Sequence, residues 1–248
     1  MKVYISILLI ALVTLCSCRK FTWDNLNDTT NPSTSPASLK NGLVAYYPFN
    51  GNADDESGNS NHGSVSGALL ASDRFGNNNS AYKFLVNTSD RIVVPVLPKS
   101  TNWTIAFWFL PTTNNINRQN YLIAFKCQGL YSGIGLTYSQ PDCSQPTNKS
   151  FIYDGVEGCS NVLTSNLSYN QNQYNFLVVS YINGEYKLSI NSNSFTSSKG
   201  LKEVDLSSII IGRRCLDAPE QTFDGNIDDI RIYNRALTQE EITYLANN

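Results

Sequence analysis

The sequence predicts an all-β fold, with two antiparallel sheets packed as a sandwich and a short helix at the C-terminus. Short segments rich in β-branched and aromatic residues recur along the chain, broken by Gly, Asn and Pro at intervals of roughly 8–15 residues. No helical pattern separates these segments, which argues against parallel βαβ units. Asn183-Gly184 lies between two of them and is a strong signal for a two-residue β-hairpin turn.

The predicted strands and the predicted helix follow from local patterns. The candidate strands are Leu43–Phe49, Ala81–Phe84, Arg91–Val94, Thr104–Leu110, Tyr121–Lys126, Gly133–Tyr138, Ser150–Tyr153, Tyr174–Ile182, Glu185–Ile190, Ser194–Ser197, Ser208–Gly212 and Gly225–Tyr233. The helix begins after Thr238, because Thr238 and Glu241 have the spacing of a capping box. Ile242 and Leu245 then form a small apolar face.

The last predicted strand carries charged residues in an alternating pattern. Strict alternation places Ile227, Asp229 and Arg231 on one face, with Asp228 on the other. We therefore expect Asp229 and Arg231 to lie beside each other, and Asp228 and Asp229 to point apart.

The N-terminus has the features of a bacterial lipoprotein signal. Lys2 precedes an apolar run from Ile5 to Leu15, which at eleven residues is too short to span a bilayer. The run ends in Leu15-Cys16-Ser17-Cys18, the pattern cut before a lipidated cysteine. We predict a signal peptide at residues 1–17, lipidation of Cys18, a flexible tether to residue 41 and one domain over residues 42–248. An ordinary secretory signal cut nearby is the alternative.

These N-terminal features and the composition limit the location and the partners. The predicted location is the bacterial cell envelope, at the outer membrane or cell surface, with the lipid as the contact to the membrane. The chain has 18 Lys and Arg against 20 Asp and Glu, and charged residues make up 15% of it. There is no basic stripe along the sequence, so nucleic acid is not an expected partner.

Four cysteines remain after the predicted cleavage and lipidation: Cys127, Cys143, Cys159 and Cys215. An even number in an exported chain suggests two disulfides, for which three connectivities are possible. The most local pairing joins Cys127 to Cys143 and Cys159 to Cys215, and free buried thiols are the alternative. Because His62 is the only histidine, at most one Cys–His pair could form.

Several motifs together resemble the laminin-G-like jelly rolls of the concanavalin A-like lectin and glucanase superfamily. They are Leu43–Ala53 with Asp55–Asn59 and Asn61–Gly63, Asp73–Gly76, Ser80–Phe84, Asp90–Pro95, Trp103–Pro111 and Phe223–Leu237. The resemblance covers roughly residues 42–246 and is weaker between 112 and 208. It implies a jelly-roll fold but not an activity, since this fold occurs in lectins, adhesion modules, sialidase accessory domains and glucanases.

The resemblance also implies one structural Ca²⁺. The family's terminal strand supplies an acidic ligand, and Asp228 occupies the matching position. Carbonyl groups near Phe49–Gly51 and the carboxylates of Asp54 or Asp55 could complete the oxygen ligands that calcium requires. The alternative for Asp55 is a cap on a turn, in which its carboxylate accepts hydrogen bonds from backbone amides.

Catalytic residues of the family's glucanases are not apparent. Those enzymes project two carboxylates from one strand, as Glu-x-Asp-x-x-Glu, to flank the scissile bond. Here Glu203-Val204-Asp205 is followed by Leu206-Ser207-Ser208, with no second Glu. We therefore expect a protein that is not an enzyme, and glycoside hydrolysis is the less favoured possibility.

The expected function is carbohydrate binding by a non-catalytic domain. Aromatic rings stack on sugar C–H surfaces, and the loop aromatics are Tyr131, Tyr138, Tyr153 and Tyr169, among three of the four cysteines. The aromatic residues Phe107, Trp108 and Phe109 lie in a central strand and are expected in the core. The alternative is a protein-interaction or adhesion module, or a subunit of an envelope complex that binds an extracellular protein.

Overall fold

Short antiparallel strands are the main secondary structure of the described residues. The computed structural model describes residues 36–112, 120–125, 132–138, 147–154, 162–165, 167–197, 206, 208–214 and 221–248. Its elements are a 3-10 helix at Ala37–Lys40, strands β1 (Leu43–Tyr47), β2 (Ser64–Ser66), β3 (Leu69–Ala71), β4 (Ala81–Phe84), β5 (Arg91–Val94), β6 (Trp103–Pro111), β7 (Asn120–Phe125), β8 (Ser132–Tyr138), β9 (Thr147–Asp154), β10 (Val162–Thr164), β11 (Asn175–Ile182), β12 (Glu185–Ile190), β13 (Asn193–Ser197), β14 (Ile209–Ile211) and β15 (Gly225–Tyr233), and the helix α1 (Gln239–Asn247).

The strands form two antiparallel sheets. The eight-stranded sheet has the order β13-β12-β11-β6-β15-β4-β3, and β1 also pairs with β15. The seven-stranded sheet has the order β10-β9-β8-β7-β14-β5-β2. Strands distant in sequence are neighbours in both sheets, as in a jelly roll, and the predicted all-β sandwich with one C-terminal helix is confirmed.

The core lies between the sheets and is filled mainly by alternate residues of each strand. On β6, Ile105, Phe107 and Phe109 are fully buried in the main core. Ala106 and Trp108 belong instead to a second apolar cluster that includes Leu245 of α1. The helix therefore covers the outer face of the eight-stranded sheet, opposite to the main core. Of the three central-strand aromatics predicted in the core, Trp108 lies on this outer face.

A bulge in β15 changes the predicted alternation. Asp228 lies opposite Trp108 of β6 and Arg231 lies opposite Ala106, so two residues of β15 face one residue of β6. Asp229 has a φ of 55° at this bulge. Ile227, Ile230 and Ile232 point into the core. The prediction that Asp228 and Asp229 point to opposite faces is wrong, because the extra residue brings both carboxylates to the outer face.

The local turn and cap signals are confirmed. Asn183 and Gly184 join β11 to β12 with φ values of 53° and 88°, and positive φ at both positions is what a type I′ turn requires. At α1, the Thr238 hydroxyl accepts from the backbone N–H of Glu241, and the Glu241 carboxylate accepts from that of Thr238.

The domain begins earlier than residue 42. Leu39 in the 3-10 helix is buried in the outer apolar cluster. The Arg235 guanidinium donates to the backbone oxygens of Ser38 and Asn41, both at 2.7 Å. Residues 37–41, which the sequence assigned to the tether, therefore pack on the domain. The lipidation signal and Cys18 lie outside the described residues, and no described helix is long and apolar enough to cross a membrane.

Candidate functional site

Asp228, the predicted calcium ligand, is paired with an arginine. Its carboxylate is buried and accepts from Nη1 of Arg74 at 2.7 Å. Arg74 also donates through Nη2 to Asp229 at 3.0 Å, and Arg231 donates to the other Asp229 oxygen at 2.6 Å. The expected proximity of Asp229 and Arg231 is thereby confirmed. Two carboxylates and two guanidinium groups form this acid–arginine cluster.

Arg74 is held from several sides. Its guanidinium carbon lies 4.4 Å from the ring centre of Phe75 and 5.1 Å from that of Trp108. Nη2 also donates to the backbone oxygen of Asn248 at 2.7 Å. Burial raises the pKa of Asp228 to about 7, Asp229 adds to the rise, and Arg74 opposes it. The pKa of Asp228 is raised even though Arg74 contacts its carboxylate, because burial removes water from the carboxylate and this effect is the larger one.

Asp55 organises the loop after β1. Its carboxylate accepts from the backbone N–H groups of Tyr46, Ser57 and Asn61 at 2.8–2.9 Å. Partial burial raises the pKa of Asp55, but the hydrogen bonds outweigh it, so the pKa lies below its usual value. The carboxylate therefore caps a turn, as the alternative for Asp55 proposed. The other candidate, Asp54, is exposed, and its Oδ1 lies 3.3 Å from His62 Nδ1.

The described residues around Asp228 do not fit a calcium ion. Calcium requires six to eight oxygen ligands, with carboxylates free to approach it. Here the Arg74 guanidinium already contacts Asp228 and Asp229, and the two carboxylates are balanced by two cations. In the part of the chain that the structure describes, no group of three or more Asp, Glu, His or Cys residues could hold a metal.

The predicted glycan-binding tyrosines have different environments. Tyr169 is partly buried against the main core, with its ring edge-on to Phe109 at 6.1 Å between centres. It therefore covers the core and is not an exposed sugar platform. Tyr138 lies in β8, paired with Thr147, and Tyr153 lies in β9, paired with Gly133. Tyr131 and the disulfide candidates Cys127, Cys143, Cys159 and Cys215 lie outside the described residues.

A shallow cleft of about 610 Å³ lies beside the start of β1. It is lined by Gly42, Leu43, Val44, Asn59, Asn61, Val96, Leu97, Pro98 and Asn234. We call it the asparagine cleft. One part of its lining is aliphatic, from Val96-Leu97-Pro98, and another carries the three side-chain amides. None of the nine lining residues is charged.

Two of the amides are fixed by the start of β1. The Asn59 Nδ2 group donates to the backbone oxygens of Leu43 and Val44 at 3.0 and 3.1 Å. The Asn61 Nδ2 group donates to the Val44 oxygen at 2.8 Å. Neither Oδ1 accepts a hydrogen bond from any described residue, so both oxygens are free acceptors. Both asparagines belong to a motif of the resembled family, and no local pattern indicates that their side chains line a cleft.

Known families and structures match this fold. The Laminin_G_3 family of the concanavalin A-like lectin/glucanases superfamily matches residues 86–243. No curated protein sequence matches the chain.

Three solved structures illustrate the likeness. One is domain 4 of AbnA, a GH43 extracellular arabinanase from Geobacillus stearothermophilus, in complex with arabinotriose; it is 23% identical, with a TM-score of 0.62, and the match covers 82% of this chain and 98% of that one. The Botulinum neurotoxin serotype D binding domain is 18% identical (TM-score 0.61), with coverage of 86% and 53%. Trypanosoma rangeli sialidase is 15% identical (TM-score 0.61), with coverage of 86% and 33%. The chain thus spans about half of the neurotoxin chain and a third of the sialidase chain.

Proposed function

We propose that this chain, which belongs to the Laminin_G_3 family, is a non-catalytic carbohydrate-binding domain carried on a lipid-anchored envelope protein. The observation that carries the proposal is the asparagine cleft, an uncharged depression with an aliphatic wall and free amide oxygens. Sugars offer both C–H surfaces and hydroxyl groups, and sites that bind them combine apolar contact with a few fixed polar groups.

A second line of support comes from the arabinanase domain. That domain was solved with arabinotriose, and this chain matches 98% of its length. Its fold is therefore compatible with sugar binding by a domain of this size. At 23% identity the match supports a similar fold, and the ligand of this chain has to be identified by experiment.

The buried carboxylates favour a non-catalytic role. Each one in the described residues accepts hydrogen bonds from an arginine or from backbone amides; they are Asp55, Asp90, Asp228, Asp229 and Glu241. Glycosidases need one carboxylic acid to protonate the leaving group and a second carboxylate across the scissile bond. Carboxylates engaged in this way are poorly placed to serve in such a pair.

The proposed function is tested by screening the purified lipoprotein, in detergent, on an array of neutral and acidic glycans. Reducing-sugar release is measured in parallel with each glycan that is retained. We expect binding to at least one glycan with no release of reducing ends. Retention of no glycan would favour the protein-interaction alternative, and sustained release of reducing ends would show a hydrolase.

A further inference from the structure

We infer that the asparagine cleft is the glycan site and that it selects neutral sugars over acidic ones, with sugar hydroxyls donating to the Oδ1 atoms of Asn59 and Asn61. The inference rests on the proposed function and goes further, because it assigns the contacting atoms and the class of sugar. Three observations carry it: the orientation of two amides, the absence of charge from the lining, and one exposed aliphatic side chain.

The orientation of the two amides follows from their hydrogen bonds. The Nδ2 group of Asn59 donates to the backbone oxygens of Leu43 and Val44, and that of Asn61 donates to the Val44 oxygen, at 2.8–3.1 Å. Rotating either amide by 180° would place an oxygen against those carbonyl oxygens and lose the bonds. Each Oδ1 is therefore held as an acceptor before any ligand arrives, which reduces the entropy cost of binding.

The chemistry of the lining disfavours acidic sugars. An ionised carboxylate accepts hydrogen bonds but cannot donate them, so it would oppose the oxygens of Asn59 and Asn61. No lysine or arginine lines the cleft, so the negative charge of an acidic sugar would not be compensated there. Arg235, which follows the lining residue Asn234, has its guanidinium bound to Glu241 at 2.7 and 2.8 Å. Hydroxyl groups, in contrast, donate to a free amide oxygen without a charge penalty.

The aliphatic wall supplies the apolar contact. Val96 is 76% exposed. Its neighbour Leu97 is 2% exposed and anchors this segment in the main core. Val96 and Pro98 are thereby held at the surface, where they can contact the C–H face of a sugar ring. A shallow site of this kind is expected to bind weakly, and many copies on one membrane would raise the effective affinity.

The test compares trisaccharides by isothermal titration of the purified lipoprotein. The neutral probes are arabinotriose, cellotriose and mannotriose, and trigalacturonate is the acidic probe. We expect at least one neutral probe to bind and trigalacturonate to bind at least tenfold more weakly. Asn61→Ala should weaken the neutral probe about tenfold. Val96→Asp should weaken binding of the neutral probe about fivefold. Because Val96 is exposed, this change should leave the fold intact.

Asn193→Ala is the matched control, since Asn193 is an exposed asparagine on β13 outside the cleft. Its affinity should equal that of the wild type, and thermal melting of each variant checks the fold. If Asn61→Ala unfolds the protein, Val96→Asp decides. Wild-type affinity in the cleft variants, or trigalacturonate binding as tightly as the neutral probes, overturns the inference but leaves the proposed function intact. If none of the four probes binds, the inference fails, and the glycan array decides the proposed function separately.

Discussion

Arg74 lies between two aromatic rings and donates to Asp228, Asp229 and the C-terminal residue Asn248. It belongs to the turn between β3 and β4, whereas its partners lie on β15 and after α1. A single side chain therefore joins three segments of the outer face. Its charge also explains why the acidic pair of β15 is tolerated away from water, where an unpaired carboxylate would be costly.

Replacing Arg74 by methionine should destabilise the domain by about 3–5 kcal/mol, because it leaves two buried carboxylates without their shared partner. Calcium removal should have no such effect, since the guanidinium already contacts both carboxylates. The measurements are urea unfolding of the wild type and of Arg74→Met, and thermal melting of the wild type with and without EDTA.

Arg91→Met is the matched control, because the Arg91 guanidinium bonds only the exposed Ser89 carbonyl among the described residues. It should cost less than about 1 kcal/mol. A fall in the wild-type melting temperature on adding EDTA would show that calcium does stabilise the protein. An Arg74→Met variant as stable as the control would remove the role assigned to the acid–arginine cluster.

The helix α1 is attached to the sandwich through its first turn. The Glu241 carboxylate accepts from both terminal nitrogens of Arg235 and from the backbone N–H of Thr238. Arg235 in turn bonds the 3-10 helix segment. Through Arg235, this one buried carboxylate connects the end of β15 and the start of α1 with the 3-10 helix segment.

Glu241 should make the stability of the domain depend on pH in the acid range. The hydrogen bonds from Arg235 lower its pKa from 4.5 to about 2, overcoming the opposite effect of burial. A carboxyl group whose pKa is lower in the folded state stabilises the fold at pH values above its unfolded pKa. This contribution is lost as the pH falls towards the folded-state pKa. The stabilisation is therefore complete above about pH 4.5 and is lost progressively towards pH 2.

Glu241→Gln should cost about 2–3 kcal/mol at pH 7 and flatten the pH dependence of unfolding between pH 4.5 and 2. Glu240→Gln is the neighbouring control, since Glu240 is exposed in the same turn. Urea titrations over this pH range make the comparison. Equal pH dependence in the two variants would contradict the assignment to Glu241.

The whole protein combines a sandwich domain with a predicted lipid anchor. Two acyl chains on Cys18 would contribute roughly 0.8 kcal/mol per buried methylene, enough for stable attachment to a membrane. A domain held at high density on a surface can use weak binding sites, which suits the shallow asparagine cleft. The proposed anchor and the proposed binding mode therefore support the same function.

Changing Cys18 to serine should move the protein from the membrane fraction to the soluble fraction, because no acyl chains can be attached. Cell fractionation and palmitate labelling measure the effect. Cys16→Ser is the matched control and should remain lipidated in the membrane. Release by the Cys16 variant instead would place the lipidated residue at Cys16, and membrane retention of unlabelled Cys18→Ser would exclude this anchor.

Much of the fold was predictable because its signals are local. Alternating apolar residues, the Asn183-Gly184 turn and the Thr238–Glu241 cap each depend on residues a few positions apart. The same rules failed at β15, where strict alternation separated Asp228 from Asp229. The bulge depends on the register between β15 and β6, and a single extra residue reverses the face of a side chain.

By itself, the sequence determined an all-β sandwich that resembles the laminin-G-like jelly rolls and a short C-terminal helix. Only the tertiary structure decided that Arg74 meets Asp228 across 154 residues. It also decided that Asn59, Asn61, Val96 and Asn234 line one cleft. Such contacts join segments far apart in the chain, and their geometry depends on strand order and register, which local patterns do not encode.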